Sequence, residues 1–133
     1  MNISELYKIY KQSYQVSTDT RKVEKGCVFF GLKGDNFNGN KFAEDALKKG
    51  AAFAVVDEAA YQTKPTIILV NDVLKTMQAL ASYHRNELGI PIISLTGSNG
   101  KTTTKELINA VLSEKYNTTA TEGNLNNHIG VPL

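Results

Sequence analysis

Apolar residues follow two rhythms along this chain, and the alternation between them predicts the fold. Near the start, Ile3, Leu6, Tyr7 and Tyr10 recur at helical spacing behind Asn2 and Glu5, whose separation matches a capping box. A polar stretch, residues 17–26, leads into Val28-Phe29-Phe30-Gly31-Leu32, a continuous apolar run that reads as a buried strand. Residues 33–40, rich in Gly, Asp and Asn, read as loop. A second helix is expected to turn Phe42, Ala46 and Leu47 inward, with Gly50 as its left-handed C-cap. Phe53-Ala54-Val55-Val56 and Ile67-Ile68-Leu69-Val70 predict two further strands, and Asp72 can cap a long helix with Leu74, Met77, Ala81 and His84 on one side. Short apolar strands alternating with helices predict an α/β fold with a mainly parallel or mixed sheet.

The periodicity lapses over Arg85-Asn86-Glu87-Leu88-Gly89, and Pro91 stops a helix from running on. We therefore expect a first, small α/β domain over 1–84 and the start of a second over 85–133. In the second, Ile92-Ile93-Ser94-Leu95 reads as a strand, Leu107, Ile108, Val111 and Leu112 as a helix face, and 117–121 as another strand. A doubly wound nucleotide domain needs more βα repeats than these. The expectation is a truncated P-loop ATPase domain, the opening strand-loop-helix-strand unit of a longer enzyme.

Gly97-Ser98-Asn99-Gly100-Lys101-Thr102-Thr103 lies where that strand should turn into its helix. Glycines let a backbone turn tightly and bring its N–H groups to an anion, and a helix N-terminus adds partial positive charge. Lys101 can then reach the outer phosphates and the Thr102 hydroxyl can ligate Mg2+, which makes ATP the expected ligand. The common P-loop pattern has a further glycine where this chain has Leu95, so this is a shorter form.

Bulk composition narrows the classes. A chain of 133 residues, 41 % hydrophobic and 21 % charged, fits a soluble globular protein. A formal charge of +2 without a basic cluster gives no sign of nucleic-acid binding. Cys27 is the only cysteine, excluding an internal disulfide, and its apolar neighbourhood reads as burial rather than nucleophilic chemistry. No run approaches the length of a membrane span, and Glu5 and Lys8 stand where a signal peptide would be apolar, so a cytoplasmic location is expected.

Two polar clusters remain. Asn124, Asn126 and Asn127 follow the last predicted strand, where open α/β sheets bind ligands, and their amides suit a polar substrate. Taken alone, they read more readily as a turn, and His128 as a surface or packing histidine. Thr18-Asp19-Thr20-Arg21 could read a nucleotide, although spacing alone favours an Asx-type turn with Arg21 pairing Asp19.

Taken together, these segments resemble the Mur ligases, the ATP-dependent amide-forming enzymes of peptidoglycan precursor synthesis. The likeness runs through 17–23 with Gly26, through Phe29-Phe30-Gly31-Leu32-Lys33-Gly34, Gly39 and 46–51, and through the short ATP loop, 96–106. Gly123-Asn124-Leu125-Asn126-Asn127 with Ile129-Gly130-Val131-Pro132-Leu133 is similar to the D-alanyl-D-alanine-adding members in particular. Cys27 stands where members often have an acidic residue, and Asn38-Gly39-Asn40 replaces a more usual Asp-Gly-His. The resemblance implies a UDP-muramoyl-binding first domain with Thr18, Asp19, Thr20, Arg21, Lys33 and Gly34 at the substrate. It implies phosphate contacts from Gly97 to Thr103, Lys101 and Thr102 in catalysis, Thr102 on Mg2+, and Asn126 and Asn127 towards the substrate or the metal-phosphate region. The implied partners are ATP, UDP-N-acetylmuramoyl-tripeptide and D-alanyl-D-alanine. The alternatives are the sibling ligase that adds diaminopimelate or lysine, and a non-catalytic UDP-ligand-binding module. Later parts of the site being absent, the 133-residue chain alone is expected to be inactive.

Overall fold

The computed structural model describes residues 1–123, 125 and 127–133; Asn124 and Asn126 lie outside the described residues. Two compact units divide it: Met1–Leu88 with Pro132–Leu133, and Gly89–Val131.

The first unit is built on a four-stranded parallel sheet. Helix α1 (Ile3–Tyr10) opens with the expected capping box: Glu5 N–H donates to Asn2 Oδ1 and Asn2 N–H to Glu5 Oε2, both at 2.9 Å. Then come β1 (Val16–Ser17), β2 (Val28–Phe30), β3 (Lys33–Gly34), β4 (Phe37–Asn38), α2 (Ala43–Lys48), β5 (Phe53–Val56), β6 (Ile67–Leu69) and α3 (Val73–Leu88). The sheet order is β1-β2-β5-β6, every pair parallel, while β3 and β4 form a separate antiparallel hairpin.

Register explains the two cores. Phe29, Ala54 and Ile67 are laterally paired and share one face, where with Val56 they pack against Ala43 and Ala46 of α2 and against Cys27. Phe30, Val55 and Ile68 are paired on the opposite face, which α1 and α3 serve with Leu6, Tyr7, Val73, Met77 and Leu80. Strands buried on both faces read as unbroken apolar runs, as Val28–Phe30 and Phe53–Val56 do. Burial pushes the Cys27 thiol up, which leaves it a small core residue. Gly50, at φ +115°, ends α2 as expected.

The structure corrects several details. The polar stretch after Val16 begins with a strand residue, Ser17, which pairs with Phe29 and is buried. The expected loop of residues 33–40 contains the β3–β4 hairpin. Phe42 is 39 % exposed and stacks on Phe37 at 5.6 Å between ring centres. A 3-10 turn, Gly39–Phe42, precedes α2 and shifts its phase, so that Ala43 takes the inward position. In α3 the buried stripe is Val73, Met77 and Leu80, with Leu74 and Ala81 only half-buried. Val73 is anchored by its N–H to Asp57 Oδ2 (3.3 Å), which sets that phase. α3 runs through the residues where the apolar rhythm lapses and stops at Gly89, which has φ +60°.

In the second unit, helix α4 (Lys101–Ser113) forms as expected. The strands expected at 92–95 and 117–121 do not form. A strand is defined by its ladder, and among the described residues neither segment has one. No residue of α4 is buried; Leu107 and Val111, on its apolar face, are 64 % and 71 % exposed.

Candidate functional site

In the first unit the sequence-derived candidates lie at the carboxyl ends of parallel strands, where α/β sheets bind ligands. Ser17 ends β1, and its hydroxyl donates to Asp19 O (2.9 Å) and accepts from Asp19 N–H (3.2 Å). Asp19 then caps a 3-10 turn, Thr20–Lys22, its Oδ1 accepting the Arg21 N–H at 2.9 Å. The Arg21 guanidinium closes on the same carboxylate at 2.6 Å. Hydrogen bonds from Arg21, side chain first and then backbone, hold the Asp19 carboxyl down at about 2. Thr18, Asp19, Thr20 and Arg21 thus form the Asx-type turn that spacing favoured; Thr18 and Thr20 are half-buried and Arg21 is exposed.

Lys33 and Gly34 follow β2 and are exposed. Lys33 Nζ lies 3.0 Å from Asp57 Oδ1 and 3.4 Å from Glu58 Oε1, and the Asp57 hydrogen bond raises its pKa. Asp57 directly follows β5. Burial alone would raise its carboxyl, but hydrogen bonds from Lys33, Asn40 and the Val73 N–H outweigh that and lower it. Asn40 is fully buried; its Nδ2 donates to Asp57 Oδ1 (3.0 Å) and Asn38 Oδ1 (2.9 Å), and its Oδ1 accepts the Asp57 N–H (2.9 Å). Asn38 Nδ2 in turn donates to Glu58 Oε1 at 3.1 Å.

One carboxylate therefore ties the end of β5, the β3–β4 hairpin and the start of α3 into one rim. Sequence reasoning missed Asp57, Glu58 and Asn40. The available signal was an acidic pair directly after a buried strand, Val56-Asp57-Glu58, opposite a loop rich in amides. An open groove of about 480 Å³ lies elsewhere, along edge strand β6 between Asn2 and Ile3 of the α1 start and Asp72 and Thr76 of α3. It contains none of the candidate binding residues.

In the second unit, Gly97, Ser98, Asn99 and Gly100 are exposed ahead of α4. Gly100 occupies the N-cap position at φ +76°, a conformation that favours glycine, and provides no side-chain cap. The first-turn N–H groups at Lys101, Thr102 and Thr103 thus meet no capping side chain, the donor set that an anion at a helix start requires. Lys101 folds back over the loop, its Nζ donating to Gly97 O at 2.5 Å, while Thr102 and Thr103 are exposed. The donors and the lysine fit a phosphate group. Among the described residues no three His, Cys, Asp or Glu side chains cluster as metal ligands. The exposed Thr102 hydroxyl would suit a Mg2+ ion arriving with a nucleotide.

Asn127 has the turn role: its Oδ1 accepts the N–H groups of Ile129 (3.1 Å) and Gly130 (2.7 Å). His128 is exposed. The Asn126 assignment lies outside the described residues.

Residues 12–102 match the family described as "Mur ligase family, catalytic domain", and residues 95–133 match "Mur ligase middle domain". The chain belongs to the Mur ligase family. Among curated relatives of this Mur ligase chain, the UDP-N-acetylmuramoyl-tripeptide–D-alanyl-D-alanine ligase of Bacillus subtilis (strain 168) is 46 % identical over 129 residues, covering 93 % of the chain and 28 % of the relative. The ligase of the same name from Escherichia coli (strain K12) is 42 % identical over 118 residues, 89 % of the chain and 26 % of the relative. Among solved structures, MurF from Acinetobacter baumannii superposes with a TM-score of 0.80 at 36 % identity, over 89 % of this chain and 26 % of that one. MurF ligase from Thermotoga maritima in complex with ADP gives 0.78 at 31 % identity, over 89 % and 27 %. The chain spans about a quarter of the length of the curated relatives it matches.

Proposed function

We propose that this chain is the N-terminal part of a cytoplasmic ligase that uses ATP to join D-alanyl-D-alanine to UDP-N-acetylmuramoyl-tripeptide in peptidoglycan precursor synthesis. The observation that carries the reading is the uncapped start of α4, with Gly100 at positive φ and Lys101 folded over the loop, on a chain of this family. The names of the relatives support the choice of substrates, and the ADP complex of the Thermotoga neighbour supports ATP. No helix among the described residues is long and apolar enough to cross a membrane.

In this reading residues 1–84 hold the UDP-linked substrate through Thr18–Arg21 after β1 and through Lys33 and Gly34 after β2, and 85–133 begin the ATP domain. The terminal carboxylate of the tripeptide attacks the γ-phosphorus of ATP and releases ADP, giving an acyl phosphate. The amine of D-alanyl-D-alanine then attacks the acyl carbon, loses a proton, and phosphate departs as the amide forms. Phosphoryl transfer rests mainly on positioning and charge neutralisation. The backbone N–H groups from Ser98 to Thr102 hold the β-phosphate region, and Lys101 leaves Gly97 O for the γ-phosphate in flight. Gly97 and Thr103 border the phosphates, and Asn127 serves the substrate or the metal-phosphate region; the matching Asn126 assignment lies outside the described residues. Thr102 would hold the Mg2+ that travels with the nucleotide, which when bound would supply neutralisation of phosphate charge.

The test is phosphate release by the full-length enzyme supplied with ATP, Mg2+ and UDP-N-acetylmuramoyl-tripeptide. Release that requires D-alanyl-D-alanine supports the proposal. Release that requires diaminopimelate or lysine with UDP-N-acetylmuramoyl-dipeptide in place of the tripeptide, or none in any mixture, contradicts it.

A further inference from the structure

The start of α4 carries a second lysine, and it faces a different task from Lys101. The Lys105 side chain is only 16 % exposed although α4 has no buried residue and its neighbours Thr104 and Glu106 are open. Its ammonium donates to the carbonyl of Thr121 and to that of Gly123 (3.1 Å), and pairs with Glu106 Oε1 at 2.7 Å. Three donors on a flexible stem meet three oxygens, so the capacity of the group is filled within this unit. The two carbonyls belong to a segment that has no strand ladder among the described residues, so this cation supplies a tether that backbone pairing does not. Lys105 lies one helical turn beyond Lys101, and Gly123 lies immediately before the asparagine-rich loop.

We infer that Lys105 is a positioning residue: it pins the backbone of Thr121–Gly123 to the first turns of α4, and so sets where the asparagine-rich loop leaves relative to the phosphate loop. It touches neither nucleotide nor substrate. The functional part of this inference rests on the ligase reading; the tether itself does not. If the loop meets the UDP-linked substrate, releasing it should harm the use of that substrate and leave nucleotide binding intact. A displacement of about 1 Å at a reacting centre can cost ~10²-fold in rate.

Two measurements on Lys105→Met and Lys105→Arg test this, with folding checked by thermal melts. In the 133-residue chain, Lys105→Met should shift the amide resonances of Thr121–Gly123 and Asn127–Gly130 and leave those of β2 and β5 in place. In the full-length enzyme it should lower kcat/KM for the UDP-linked tripeptide by roughly 10²-fold, with ADP affinity within about twofold. Lys105→Arg keeps the charge on a longer, planar fork and should fall between the two. Unmoved amides at Thr121–Gly123 overturn the tether, and a kcat/KM within twofold of wild type overturns its role in positioning. A proportional loss of ADP affinity would show merely structural damage and also overturn it. If Lys105→Met does not fold, Lys105→Arg decides: an amide spectrum and kcat/KM identical to wild type refute the inference. If the wild-type enzyme ligates nothing, the functional reading fails and the amide shifts alone decide the tether.

Discussion

Replacing Asn40 by alanine should cost this protein more stability than any single exposed charge. The carboxamide is fully buried and holds three hydrogen bonds: two to Asp57, one of them from the Asp57 backbone N–H, and one to Asn38. Alanine keeps the backbone bond from residue 40 to Asn38 Oδ1 (3.0 Å), and Asp57 Oδ1 keeps Lys33 at 3.0 Å. The Asp57 N–H, however, loses its acceptor, and an orphaned buried donor costs about 1–3 kcal/mol. The weakened hold on a partly buried carboxylate and the void left by the amide add ~1 kcal/mol more. We expect about 3 kcal/mol in all, a large share of the ~5–15 kcal/mol that holds a domain together. At ~4–8 °C per kcal/mol for a unit of this size, the melting temperature should fall by roughly 12–24 °C. Urea unfolding followed by circular dichroism measures the change, and an unaltered m-value shows that the same surface unfolds. A loss below ~1 kcal/mol at unchanged m would refute the reasoning, because the network would then not be what holds the rim.

The other predictions are more local. Lys101→Ala in the full-length enzyme should lower turnover by ~10²–10³ while leaving UDP-substrate affinity nearly unchanged, and Thr102→Ala should mainly raise the Mg2+ requirement; steady-state kinetics and a Mg2+ titration check both. A Cβ at residue 39 would stand 2.4 Å from Leu32 O and 2.7 Å from Gly31 C, so Gly39→Ala should destabilise by at least ~2 kcal/mol in the same urea assay. The folded Asp19 carboxyl lies below its unfolded value, so its contribution to stability is present above pH ~4 and is lost as pH falls through about 2; a carbon-detected titration should place its midpoint near there, and Arg21→Ala should return it towards the ordinary range.

The first unit was largely legible because its strands are buried on both faces, leaving apolar runs such as Val28-Phe29-Phe30 that have one reading. Caps were legible because Asn2, Gly50 and Asp72 each solve a local backbone problem with a characteristic residue. What could not be read were features that depend on distant partners. Ser17 becomes a strand residue only by pairing beside Phe29, Phe42 turns outward because a 3-10 turn resets the helix, and 92–95 is apolar yet finds no ladder among the described residues. The glycine-rich turn into α4 was visible as a motif, since its backbone geometry depends on neighbours in sequence. The Asp57 rim was not, because Lys33, Asn40 and Val73 converge on it only after folding.

The central claim is that the parent enzyme activates the tripeptide carboxylate with ATP before D-alanyl-D-alanine attacks, and oxygen transfer tests it most directly. UDP-N-acetylmuramoyl-tripeptide labelled with heavy oxygen in its terminal carboxylate should be turned over by the full-length enzyme with ATP, Mg2+ and D-alanyl-D-alanine, and the released phosphate weighed by mass spectrometry. The account predicts that labelled oxygen passes from the carboxylate to the phosphate in step with amide formation. Amide formed with unlabelled phosphate would contradict it.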